Sequence, residues 1–115
     1  MIALLMGLPT ISPQDLQRLA SEGGARVIDV NSQGSWLQAR VPGALNLDPA
    51  TFDASSLPAD TKTPLVFYCS NPLCRKAPTA ALRARKLGYE NVRVMSAGIK
   101  GWIGARLPVE SGPES

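Results

Sequence analysis

The stretch Leu65-Val66-Phe67-Tyr68-Cys69-Ser70-Asn71-Pro72-Leu73-Cys74-Arg75-Lys76 runs from four apolar or aromatic side chains into a cysteine, a short loop and two cations. The apolar run predicts a strand over Leu65 to Tyr68. Beyond the loop, Ala, Leu and Arg recur at helical density from Ala77 to Leu87, and Gly88-Tyr89 ends the run. The unit is therefore strand, loop, helix, with Cys69 where the strand stops. Loop N–H groups and the positive end of a helix dipole both favour an anion, so this placement suits a reactive thiolate. Arg75 and Lys76 stand at a helix start, where cations oppose the dipole, and this points to a functional reason for them. Arg83, Arg85 and Lys86, further along, read as a solvated helix face.

Outward from this unit, short apolar segments alternate with helical ones. Ser12-Pro13-Gln14-Asp15 looks like an N-cap followed by proline in the first turn, with Leu16, Leu19 and Ala20 at helical spacing until Gly23-Gly24. Arg26-Val27-Ile28-Asp29-Val30 is apolar enough for a central strand. Ser32 caps a helix through Ala39, and Ala44 to Leu47 predicts another short strand. From Asp48 to Thr63 the chain is small, polar and proline-bearing, a surface loop or single helical turn anchored by Phe52 and Leu57. Asn91 to Met95 predicts a further strand, and Ile99, Trp102 and Ile103 a final turn or helix. The alternation argues an α/β fold with a mostly parallel sheet covered on both faces, whose strand carboxyl ends form the ligand crevice.

A chain of 115 residues with 44% hydrophobic and 18% charged residues fits one globular domain. The apolar start from Met1 to Leu8 is too short to cross a bilayer and lacks the basic region and cleavage site of a secretory signal, so a cytoplasmic protein without membrane contact, or a domain cut from a longer chain, is expected. The net charge of +3 is too mild to suggest nucleic acid. There is no histidine, which removes Cys/His nucleophile pairs and most zinc sites; no metal and no cofactor are expected. Two cysteines five residues apart would make a poor structural staple, because their loop restrains little of the unfolded chain. Trp36 and Trp102 read as core or rim aromatics, and Asp29 as a hydrogen-bond acceptor that braces a loop.

Four separated pieces together resemble a rhodanese-like domain. They are Val27-Ile28-Asp29-Val30; Val41-Pro42-Gly43-Ala44-Leu45-Asn46-Leu47; the strand, Cys69 and helix ending in Gly88-Tyr89; and Val94 to Trp102 followed by Leu107-Pro108-Val109. The resemblance divides the chain into an N-terminal segment (1–10), the domain (11–109) and a tail (110–115) expected to be disordered. It implies a three-layer fold with a central parallel five-stranded sheet and helices on both faces. It also implies a sulfurtransferase without cofactor, in which Cys69 carries sulfane sulfur as a persulfide from a small anionic donor such as thiosulfate to a thiol or cyanide acceptor.

In this reading Cys69, Arg75 and Cys74 are the catalytic set, and Ser70, Asn71, Pro72, Leu73 and Lys76 help bind substrate, with loop N–H groups cradling the charged intermediate. Pro72 stiffens the loop but removes one donor. Arg40 replaces the histidine usual in the family and is read as a crevice-facing cation, while Asn31 stands where the family carries arginine.

The loop departs from the common pattern. Arg75 follows Cys69 at the Cys-x5-Arg spacing of phosphatases and arsenate reductases on the same fold, which keeps that chemistry as an alternative. Pro72 and Tyr68 disagree with their usual loops, and Cys69-Ser70-Asn71-Pro72-Leu73-Cys74 resembles a rhodanese-like subgroup with a Cys-x-x-Pro-x-Cys loop. There Cys74 either fills an apolar niche or acts as a resolving thiol, and the latter also suits a redox-sensing module without catalysis.

Overall fold

The computed structural model describes Ala3 and residues 6–113. In chain order the elements are α1 (Pro13–Ser21), β1 (Arg26–Asp29), α2 (Gln33–Gln38), β2 (Leu45–Asn46), a 3-10 turn (Ala54–Ser56), β3 (Leu65–Tyr68), α3 (Lys76–Lys86), β4 (Val92–Val94) and α4 (Gly98–Gly104). Local chemistry sets their starts. The Ser12 side chain accepts from Asp15 N–H and Pro13 opens α1, while Ser32 accepts from Ser35 N–H and opens α2. At the far end of α3, Gly88 takes φ +103°, and Tyr89 N–H turns back to the Ala84 carbonyl.

The strands form one parallel sheet in the order β2-β1-β3-β4. All four residues of β3 are buried, so both sheet faces are covered. Side-chain alternation sorts the core accordingly. Ile28, Leu65, Phe67, Val92 and Val94 pack with Ala77, Ala80, Ala81 and Ala84 of α3, while Val27, Val66 and Tyr68 pack with Leu16 of α1 and Trp102 of α4. The small face of α3 lets that helix lie close on the sheet. Phe52 and Leu57 both enter the α3-side core, as their place in a polar loop suggests.

Two expectations are corrected. The sheet has four strands, and the fifth is reduced to a single parallel bridge between Thr10 and Val94, with Ile11 N–H on the Val94 carbonyl and Val94 N–H on the Pro9 carbonyl. Pro9 has no N–H, so the segment cannot extend a full ladder. Nor is the chain disordered from Glu110: residues 110–113 fold back on the domain, Glu110 exchanging two backbone hydrogen bonds with Arg40 and Gly112 N–H donating to the Leu37 carbonyl. Glu114, Ser115 and, in the N-terminal segment, Met1, Ile2, Leu4 and Leu5 lie outside the described residues. No helix among the described residues is long and apolar enough to cross a membrane.

Candidate functional site

The strand order places the topological switch point between β1 and β3, because the chain leaves β1 for β2 on one side and returns to β3 on the other. The carboxyl ends of these two strands carry Asn31 and Cys69. A hydrogen bond joins them, from Ser70 Oγ to Asn31 Oδ1 at 2.8 Å. Behind it, Asp29 accepts from Asn31 N–H at 2.8 Å and from the Tyr68 hydroxyl at 2.6 Å, and Asn46 Nδ2 donates to the Asp29 and Asn31 carbonyls. Burial raises the Asp29 carboxyl above its ordinary range, with the Tyr68 and Asn31 hydrogen bonds opposing. Tyr68 is held far above the ordinary phenol range by burial and by the Asp29 charge, so its proton stays on oxygen. Asp29 is a brace, as its position at a strand end suggested.

The 70–75 loop rests on α4. Ile99 N–H donates to the Cys69 carbonyl at 2.9 Å and Lys100 N–H to the Ser70 carbonyl at 3.1 Å. Gly98 makes this seat possible. It has φ +68°, and a Cβ there would lie 2.4 Å from the Ser70 carbonyl carbon.

Cys69 keeps the alternation of Leu65 and Phe67, so its side chain points to the α3 layer and is 3% exposed. There its sulfur is bonded to that of Cys74, with the two Cα atoms 6.4 Å apart. Cys74 is half-buried against the same core and is no mere filler of it.

Hydrogen bonds order the rest of the loop. Asn71 Oδ1 accepts from Leu73 N–H at 2.9 Å, and the Asn71 carbonyl accepts from Cys74 N–H at 3.1 Å. With Pro72 lacking a donor, the N–H groups of Leu73 and Cys74 are turned inward. The expected cradle from Ser70 to Arg75 is thus depleted in the bonded loop, and the void at the sulfurs is only about 10 Å³.

Arg75 caps α3 without a side-chain hydrogen bond and is exposed, as is Lys76 beside it. Leu73, 81% exposed, lies at the loop's outer edge. Adjoining the loop is an open cleft of about 460 Å³ lined by Asn31, Ser32, Gln33, Asn46, Asp48 and Lys76. Neither this cleft nor the Asn31 link was legible in the sequence. The Asp-x-Asn spacing at the end of β1 was the available signal, since a strand-end Asp commonly accepts from a backbone N–H two residues on.

Arg40 does not face the crevice. It is fully buried, stacked 3.9 Å from the centroid of the Trp36 ring, ion-paired to Glu110 at 3.1 Å, and donates to the Trp36 and Gly112 carbonyls. A guanidinium in the interior is held where its donors are met, and here the folded-back C-terminal segment meets them. Trp36 and Trp102 are structural too, with indole N–H groups on the Ala44 and Pro108 carbonyls. Arg83 is more than a solvated cation: its Nε donates to the Phe52 carbonyl at 2.7 Å and pins the long loop.

The comparisons agree with this architecture. Residues 12–105 match the rhodanese-like domain family. The human thiosulfate:glutathione sulfurtransferase is 30% identical, over 86% of this chain and 96% of that protein. The Haemophilus influenzae thiosulfate sulfurtransferase GlpE is 26% identical, over 92% of this chain and 98% of that protein. In fold, the chain is similar to the BH2092 protein of Bacillus halodurans, with a TM-score of 0.82 at 23% identity over 90% of this chain and 77% of that one. With Cys69 at the end of β3 and its parallel sheet between two helical layers, the chain belongs to the rhodanese-like domain family.

Proposed function

We propose that the protein is a sulfurtransferase that carries sulfane sulfur on Cys69. The observation that carries this reading is the position of Cys69: the carboxyl end of β3, beside the switch point, next to a helix start that exposes Arg75 and Lys76. The sulfurtransferase activities named for the human and Haemophilus relatives support the same chemistry. The Cys69 thiolate attacks the outer sulfur of thiosulfate and sulfite leaves, giving a Cys69 persulfide. Arg75 and Lys76 attract the dianionic donor, and an acceptor thiolate then takes the outer sulfur. The cleft beside Lys76 offers that acceptor an approach from the Asn31 side.

The test is sulfide production from thiosulfate with dithiothreitol present, which serves as acceptor and keeps the loop reduced. Turnover that Cys69→Ser abolishes is expected. Arg75→Ala should raise KM for thiosulfate roughly tenfold with a smaller effect on kcat, matching the loss of about 1.4 kcal/mol of donor binding. Equal rates for Cys69→Ser and the parent protein would refute the reading. Hydrolysis of aryl phosphates is not expected, because Pro72 and Tyr68 depart from the loops usual in Cys-x5-Arg phosphatases.

The Cys69–Cys74 bond favours a second reading, a redox-sensing module. It predicts closure by mild peroxide with no turnover on any sulfur donor.

A further inference from the structure

The bond between Cys69 and Cys74 coexists with the loop's other ties. The Cys69 and Ser70 carbonyls remain on α4, Asn71 receives both inward N–H groups, and Ser70 stays linked to Asn31. Cys74 therefore reaches the Cys69 sulfur from within the folded loop. In the bonded loop an external nucleophile has little such access, since Cys69 is 3% exposed and the void at the sulfurs holds about 10 Å³. In that void there is little room for an outer sulfur on Cys69. The inner sulfur remains where Cys74 meets it.

We infer that Cys74 discharges the Cys69 persulfide internally, which makes the protein a sulfane-sulfur reductase that releases hydrosulfide without an external acceptor. This inference rests on the proposed persulfide. The Cys74 sulfur attacks the inner sulfur of Cys69–S–S⁻. The Cys69–Cys74 bond forms as the bond to the outer sulfur breaks, and the Cys74 thiol proton leaves with that sulfur as HS⁻. The outer sulfur gains two electrons and the two cysteine sulfurs together lose two. No further oxidant is needed, and the product is the disulfide present in the structure. Reopening the loop takes an external dithiol reductant, so the cycle consumes one donor and one dithiol per hydrosulfide. Cations at Arg75 and Lys76 favour the departing anion's path.

The experiment is a single turnover. Reduced protein, freed of reductant under anaerobic conditions, receives excess thiosulfate; sulfite and sulfide are quantified and the intact mass is taken. The expected result is one equivalent each of sulfite and sulfide, with the mass lower by two hydrogens. Cys74→Ser and Cys74→Ala should release sulfite alone and keep the mass of one added sulfur. If both variants load sulfur but the parent protein also keeps it, with Cys74 free to alkylation and no sulfide, internal discharge is wrong and sulfur transfer stands. If folded variants, judged by circular dichroism, take up no sulfur, the persulfide reading itself falls and the discharge with it.

Discussion

Asn31 occupies the end of β1, where its side chain accepts from Ser70 and its own N–H is held by Asp29. Its side chain bonds Ser70, the residue that follows Cys69, and under the proposed function it is a positioning residue. Asn31→Ala removes one hydrogen bond, worth about 1 kcal/mol. Sulfur loading of Cys69 should slow several-fold with little change in thermal stability, and Asn31→Asp, which retains an acceptor, should restore much of the rate. Equal loading rates for Asn31→Ala and the parent protein in a stopped thiosulfate assay would show that the link positions nothing. The position of Cys69 was legible because an apolar strand and a helical run bracket the loop that it opens. That of Arg40 was not, because local sequence cannot show that Glu110 and Gly112 return to meet it.

At the scale of elements, nearly every helix and strand was legible from caps, apolar periodicity and glycine stops, since these are local properties. The fifth strand that the family resemblance implies is not formed among the described residues, where the segment before Ser12 keeps one bridge to β4. The seating of the loop on α4 was half-visible as Ala97-Gly98. What the pattern could not convey is that Gly98 stands where a Cβ would meet the Ser70 backbone. Gly98→Ala combines a left-handed φ with a backbone clash and should cost about 2–4 kcal/mol. Urea unfolding reads this directly, and a midpoint unchanged from the parent protein would mean that the loop lies elsewhere.

Across the whole molecule, the C-terminal segment closes a belt over α2 through Arg40, Glu110 and Gly43 N–H. The Gly43 hydrogen bond, and then Arg40, hold the Glu110 carboxyl below its ordinary value of 4.5. A lowered native value means that the stabilisation is present above the unfolded value and is lost as pH falls through the native one. Asp29 has the opposite sign: its raised value means the native state binds its proton more readily, so acidification from above 3.8 does not weaken the fold at that residue. Glu110→Gln should therefore lower stability by about 1 kcal/mol at neutral pH, and the gap from the parent protein should close in acid as the Glu110 carboxyl takes up its proton, as read from urea midpoints. A gap that persists unchanged in acid would remove the charge from the belt. The fold and the position of Cys69 thus follow from local pattern, while the belt and the closed loop depend on contacts distant in sequence or on bond formation. The central claim is that Cys69 carries sulfane sulfur, and the most direct measurement is the intact and peptide mass of Cys74→Ser after thiosulfate, which prevents internal discharge. One added sulfur on the peptide bearing Cys69, removed by cyanide, is the predicted result; unchanged mass after thiosulfate, with Cys69 still free to alkylation, would contradict it.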